Sequence, residues 1–344
     1  MRPPLRGKLA QSPAEKIFGS EVRDRQPELI QPLTDAFTEK TGIEVNVAFL
    51  EKGMVERLLA EGKRSPADVI LTVDISRLAE AVEAGVTQPV TSDVMTANIP
   101  ADFRDPEGHW WGLTARARVV YASKDRVGEG EVTTYEDLAD PKWAGRICTR
   151  SGTHTYMTGL TSAVIHHLGE EGAKAWLEGV KANLARKPQG NDRAQVKAIW
   201  AGECDISLGN TYYMGEMLAD AEQTDWANAV RLEFPIFEGG GTHVNVSGVA
   251  MTAAAPHPEN ALAFMEFLTS PEAQEIYAEA NHEYPIAPGT SPSNLVAGWG
   301  SFTADDVNLM DLAALRRDAL RITEEVDYDG CIDFVKFIFG FEIA

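Results

Sequence analysis

The chain has 344 residues, about twice the usual domain size, which gives room for two lobes or one large unit, each burying its own core. Hydrophobic residues make up 44% and charged residues 24%, and no apolar run approaches the roughly 20 residues of a membrane span, which argues against direct membrane insertion. The 52 acidic residues outnumber 31 Lys and Arg to leave a formal charge of −21, which repels nucleic acid and anionic lipid.

Cys148, Cys204 and Cys331 show no CxxC or zinc-like spacing, so a structural zinc site is disfavoured and at most one disulfide can form. Residues 1–20 carry basic charge without an apolar run of seven or more, and are not read as an intact secretory signal.

From Pro27 the pattern is helical, with Leu29, Ile30, Leu33, Ala36 and Phe37 on one face and Gly42 as the stop. A strand is predicted over 43–49, a short helix carried by Val55, Leu58 and Leu59, a buried strand over 67–72, and a helix through Ile75, Leu78, Ala79 and Val82 closed by Gly85. Helices alternating with short apolar strands predict βαβ units and a largely parallel sheet, with ligands at the carboxyl ends of the strands.

After the DPEGHWWG stretch the same alternation resumes. Strands are predicted over 118–123, 146–149 and 205–208, and helices over 157–168, 173–184 and 192–201. Near the end, PHPENALAFMEFLTSPEAQEIYAEA predicts two helices, the second capped by Ser270 with Pro271 at its first position. The fold class is therefore α/β, in two units.

Tyr212 and Tyr213 are adjacent, so in a strand they would point to opposite faces and could not share a ligand. Gly209-Asn210-Thr211 before them is N-cap chemistry, which places both at the top of a strand beside a helix N-terminus. Such tyrosine pairs usually pack half-buried with their hydroxyls bonded. Arg116 and Arg118 share a face if LTARARVVY is extended, and a buried arginine needs a partner.

Several stretches resemble the periplasmic ferric-ion-binding proteins, within the extracellular solute-binding proteins of ABC importers. They include RQPELIQPLTDAFTEKTGIEVNV, HWWGLTARARVVYASKD, GRICTRSGTHTYMTGL, AGECDISLGNTYYMGEM and GGGTHVNVSGVAMT, and the likeness runs over residues 25–330. The helix pair around Pro271 is shared by many solute-binding proteins, whereas the NTYYMG and RSGTHTY stretches place tyrosines where this family holds iron.

The resemblance implies a type II periplasmic-binding-protein-like fold of two lobes with hinge crossover strands near 113–119 and 231–246. The amino-terminal lobe is expected from 14–115 and 240–285, the carboxyl-terminal lobe from 116–239 and 286–330, with 1–13 and 331–344 as atypical tails. It implies Fe(III) bound by the phenolates of Tyr156, Tyr212 and Tyr213. Ferric iron is a hard cation that prefers anionic oxygen, and the metal itself must displace a phenol proton whose pKa is about 10.

Arg116 matches the family's arginine on the side of a synergistic anion such as carbonate, and Gln26 is a candidate donor to the same anion. Arg118 belongs either to that anion or to a structural salt bridge. His243 resembles a position near the cleft, where it either contacts the ligands from behind or simply packs, and Asn245 is a further candidate for contact behind the ligands. The family's first turn often adds a histidine or tyrosine; here it reads Arg25-Gln26-Pro27, and the second turn reads Thr72-Val73-Asp74, so the implied site is three tyrosines completed by an anion or water. A first strand recruited from 14–22 would restore the family's opening.

Cys148 and Cys204 each precede a tyrosine-bearing stretch, and neighbouring strands there would permit a disulfide. Trp110 and Trp111 are read as core, or as lining the hinge or a sugar-type platform. Of His166-His167 one is expected packed and one solvated. The apolar tail CIDFVKFIFGFEIA has no counterpart in the family, and is read as an extra strand or an exposed patch.

The function implied is capture and delivery of ferric iron to the permease of an ABC importer, by a periplasmic monomer without turnover. The alternatives are the same fold with an oxyanion or small organic solute, and a metal-dependent enzyme, for which no HExxH pattern or general base near the tyrosines is present.

Overall fold

The structure, a computed structural model, describes residues 15–20, 27–50 and 53–330, with side chains from residue 30 onward. The expectations placed on Gln26 and on the tail 331–344 lie outside the described residues.

The first unit opens with β1 (Glu15–Ser20), inside the stretch expected to supply the first strand, followed by α1 (Pro27–Thr41) and β2 (Val45–Leu50). Leu33 and Phe37 are the buried stripe of α1, and Gly42 takes φ 75° where the helix stops, a left-handed conformation that favours glycine. Next come α2 (Met54–Glu61), β3 (Val69–Thr72), α3 (Ile75–Glu83) and α4 (Asp93–Asn98). Met54, Val55 and Leu58 are the buried face of α2, and Leu59, assigned to that face from the sequence, is exposed instead.

A long strand, β4 (Trp111–Ser123), is buried along all 13 residues. Beyond it lie β5 (Ile147–Cys148), α5 (Thr155–Ala182), α6 (Asp192–Trp200), β6 (Ile206–Asn210), α7 (Tyr212–Ala219), α8 (Thr224–Asn228) and β7 (Val230–Glu233). The two helices expected over 157–184 are one element, α5, broken at Gly169, whose φ of 70° and ψ of 173° are not helical.

The chain then returns through β8 (Val244–Met251), α9 (Pro258–Leu268), α10 (Pro271–Asn281) and β9 (Tyr284–Pro285), and ends in α11 (Asn294–Ala297), α12 (Leu309–Ala314) and α13 (Arg316–Glu325). The Ser270 side chain accepts from Ala273 N and Pro271 opens α10, as its sequence predicts.

The sheet runs β2-β1-β3-β8-β4-β6-β5, with β7 and β9 also paired to β4. It is mixed and not largely parallel: β1 pairs in parallel with β2 and β3, and β5 with β6, but every pairing of β4 and the β3–β8 pairing are antiparallel. The reason is that β4 and β8 cross the molecule in opposite directions. Along β4, Ala117 still pairs with Val244 of β8 while Arg118 already pairs with Asn210 of β6, so a single strand serves both halves of the sheet.

There are two buried cores among the described residues, and the larger runs through both halves of the sheet, from Leu33 and Val69 to Ile147 and Leu208. The larger contains Phe37 against Phe264, with ring centroids 4.9 Å apart, together with Trp110 and Trp111, which are therefore core residues. The smaller lies between the far half of β4, α6 and α7 and contains Tyr156, Tyr212 and Tyr213. Cys148 and Cys204 form a disulfide with Cα atoms 5.9 Å apart, made possible by the β5–β6 pairing.

Candidate metal centre

Strand β6 ends at Asn210 and the chain turns at once into α7, so Tyr212 and Tyr213 occupy the first helical turn. Successive residues on a helix diverge less than on a strand, and both rings lie on the same side, their centroids 4.3 Å apart at an interplanar angle of 38°. The turn is held differently from the expected cap. Thr211 sits at the N-cap position without a side-chain capping bond; its Oγ1 accepts from Ala117 N at 3.3 Å and its own N–H donates to Ala117 O at 3.1 Å, pinning it to β4.

Tyr156 comes from the first turn of α5, whose N-cap is His154, with Nδ1 accepting from Tyr156 N at 3.2 Å. The Tyr156 and Tyr212 hydroxyls meet at 3.0 Å. Thus the three tyrosines singled out in the sequence are gathered at one place, 6%, 4% and 0% exposed for Tyr156, Tyr212 and Tyr213.

The surroundings of the phenols are cationic. The guanidiniums of Arg150 and Arg118 lie 5.0 and 5.9 Å from the Tyr156 ring centroid, and that of Arg193 lies 5.9 Å from the Tyr213 ring. Arg118 and Arg150 both donate to the buried carboxylate of Asp192, at 2.6 and 3.0 Å. Arg118 is therefore in a structural salt bridge, one of the two roles foreseen for it.

Burial pushes the Asp192 carboxyl up, but Arg118 and Arg150 outweigh it and hold the group below the usual carboxylate range. Burial likewise opposes the Arg150 charge, but Asp192 and then Tyr213, Tyr156 and Tyr212 more than offset it, so its pKa is raised. Desolvation, followed by the nearby Arg150, pushes His154 down to about 3 and keeps it neutral at neutral pH.

Arg116 is on the same face of β4 as Arg118 and is 2% exposed. Its Nη2 donates to Val73 O and lies 3.7 Å from Asp74 Oδ2, while Nε and Nη1 find no hydrogen-bond partner among the described residues. Asn245, opposite Arg116 on β8, accepts from Ile75 N at 3.0 Å and donates to Asp74 Oδ2 at 3.0 Å, fastening the second turn to a crossover strand. His243 is buried, with Nδ1 unpartnered among the described residues, and burial drives its pKa down to about 4.

A cavity lies between α3 and the first turns of α5, lined by Asp74, Ser76, Thr155, Gly159, His243 and Asn245 among others. At Gly159 the helix runs close to β8: a Cβ there would stand 3.7 Å from His243 Nε2. No group of three or more His, Cys, Asp or Glu residues able to hold a metal occurs among the described residues.

Sequence reasoning missed Asp192, Arg150 and His154. Arg150 and His154 lie within the RSGTHTY stretch that pointed to Tyr156, but nothing in the spacing assigned them roles, and Asp192 read only as the first residue of a helix.

A two-lobed mixed α/β fold with crossover strands and a tyrosine-lined site defines a solute-binding protein. The model of the bacterial extracellular solute-binding protein family matches residues 64–297, and the chain belongs to that family, in its periplasmic ferric-ion-binding branch.

The chain is 42% identical over 323 residues to iron uptake protein A1 of Synechocystis sp., covering 93% of this chain and 90% of that one. Among solved structures it resembles ferric iron-binding protein A of Mannheimia haemolytica in an open conformation, with 49% identity, TM-score 0.88 and coverage of 92% and 99%. It also resembles a Trichodesmium protein in complex with iron and citrate, with 40% identity, TM-score 0.87 and coverage of 92% and 100%.

Proposed function

We propose that this chain binds Fe(III) in the cleft between its lobes through the phenolates of Tyr156, Tyr212 and Tyr213, with a synergistic anion, and delivers it to an ABC importer permease. The observation that carries the reading is the meeting of Tyr156 and Tyr212 at their hydroxyls with the Tyr213 ring against that of Tyr212. Three phenolates balance the charge of one ferric ion, and oxygen anions suit so hard a cation. The two nitrogens left over on buried Arg116, Nε and Nη1, suit a carbonate or carboxylate, which accepts charge-assisted bonds in pairs.

The lobes are assigned as 14–115 with 240–285 and 116–239 with 286–330, and β4 and β8 serve as the crossovers about which they close. Members of the family are transport proteins of the periplasm, and here no described helix is long and apolar enough to cross a membrane. Binding without turnover by a monomer follows from the same reading.

Titration of the metal-free protein with a ferric salt, with and without bicarbonate, tests it. A visible tyrosinate-to-iron charge-transfer band saturating at one iron per chain is expected. No colour, with sulfate or an organic solute raising the melting temperature instead, would overturn the ferric reading.

A further inference from the structure

We infer that Asp192 is a positioning residue for the iron site, a single buried carboxylate that sets the spacing between the two tyrosine-bearing turns and holds two guanidiniums against the phenols. This rests on the ferric reading above.

The Asp192 side chain is fully buried, and both of its oxygens are in use. Oδ1 accepts from Arg150 Nη1 at 3.0 Å; Oδ2 accepts from Arg118 Nη1 at 2.6 Å and from Asn210 N at 3.0 Å. Each donor sits on a different segment of the site. Arg150 is in the loop that leads into Tyr156, Asn210 closes β6 just before the Tyr212 turn, and Arg118 is where β4 passes from β8 to β6. The carboxylate is thus the common acceptor joining the Tyr156 turn, the Tyr212-Tyr213 turn and the crossover strand.

Charge points the same way. Two guanidiniums against one carboxylate leave an excess positive charge beside the phenols, where phenolate is to accumulate around a metal. Buried ion pairs add little net stability, because desolvation consumes most of their attraction, so stability alone is a weak reason for this network. What it supplies is geometry: outer partners that orient metal ligands typically govern affinity by about 10- to 100-fold when removed.

Asp205 provides an internal control. It too pairs with two arginines, Arg126 and Arg146, but at the other end of β6, away from the tyrosines.

The test compares Asp192→Asn with Asp205→Asn, using ferric iron with bicarbonate as the probe and measuring affinity, the charge-transfer band and melting temperature. Asparagine keeps the shape but turns one acceptor into an N–H donor facing a donor. Well below its melting temperature, Asp192→Asn is expected to lose about tenfold or more in iron affinity and to show a shifted or weakened band. Asp205→Asn should melt earlier with affinity and band unchanged.

Arg150→Lys and Arg150→Met carry the same test if Asp192→Asn fails to fold: lysine retains the charge and part of the affinity, methionine loses both. A folded Asp192→Asn with wild-type affinity and band, or an Arg150→Met that binds as the wild type does, overturns the inference. A wild-type protein that develops no band at all marks failure of the ferric reading itself, and the inference falls with it.

Discussion

Tyr156 and Tyr212 bring their hydroxyls to 3.0 Å across a separation of 56 residues, from the first turns of two different helices. Two phenols in contact share one proton-rich site, and a metal arriving there exchanges those protons for oxygen ligation. Tyr156→Phe, Tyr212→Phe and Tyr213→Phe each delete one oxygen while leaving the ring. Every variant should lose most of the charge-transfer band and at least about tenfold in affinity, while the fold loses on the order of 1 kcal/mol for one hydrogen bond. Full affinity in all three, measured by competition with a chelator, would contradict the ligand assignment.

Arg116 makes a separate prediction because its guanidinium is engaged on one side only, toward Val73 O and Asp74. If the remaining N–H groups hold the anion, Arg116→Ala should weaken iron binding strongly with bicarbonate present and little in its absence. Equal losses under both conditions would assign the arginine to the lobe framework alone. Calorimetry of iron binding across a bicarbonate series distinguishes the two.

Local chemistry made much of this molecule legible. Ser270 and Pro271 gave the start of α10, Leu33 and Phe37 the face of α1, and the adjacency of Tyr212 and Tyr213 required the turn that the structure contains. What escaped was nonlocal. Asp192 matters through Arg118 and Arg150, 74 and 42 residues away, and no periodicity records such a pairing. The residue pattern alone gave only 118–123 of β4, the rest coming from the crossover that the resemblance implied near 113–119, because burial on both faces removes the polar alternation that marks a strand. Thr211 was taken for a cap from its type, yet its hydroxyl is committed to Ala117.

His243 gives the metal-free protein a pH dependence. Its folded pKa, about 4, lies below the ordinary value of about 6.5 because burial disfavours the imidazolium, Asp305 opposing and Arg118 and Arg116 reinforcing the effect. The unfolded chain therefore binds the proton first as pH falls, so the contribution is complete above about pH 6.5 and declines toward pH 4, by about 1.4 kcal/mol per pH unit. In urea melts, His243→Gln should flatten this part of the acid slope. A variant with the wild-type slope throughout that window would refute the assignment.

The disulfide closes a sequence separation of 56 between β5 and the approach to β6. Constraining an unfolded loop of that length is worth about 4 kcal/mol in the chain-entropy model. Cys148→Ser and the reduced wild type should therefore lose comparable stability, roughly 2–4 kcal/mol, in denaturant melts. Identical melts with and without reductant, in a sample shown by thiol titration to start oxidised, would mean that the bond carries no such weight.

Gly209 of β6 lies against the Tyr121 ring just ahead of the tyrosine turn. A Cβ placed there would lie 2.0 Å from Tyr121 Cε2, and Tyr121 cannot swing away freely because it is fully buried and its hydroxyl donates to Asn210 O at 2.6 Å. Gly209→Ala must therefore move either the ring or the strand, at about 1–3 kcal/mol for overpacking, and any displacement travels through Asn210 into Tyr212 and Tyr213. The expected phenotype is combined: earlier melting together with weaker iron binding. Tyr121→Leu in the same chain removes the obstructing ring edge, so Gly209→Ala should cost less in that background than in the wild type. A double-mutant cycle with no coupling between the two positions would show that the strand accommodates the methyl group by another route.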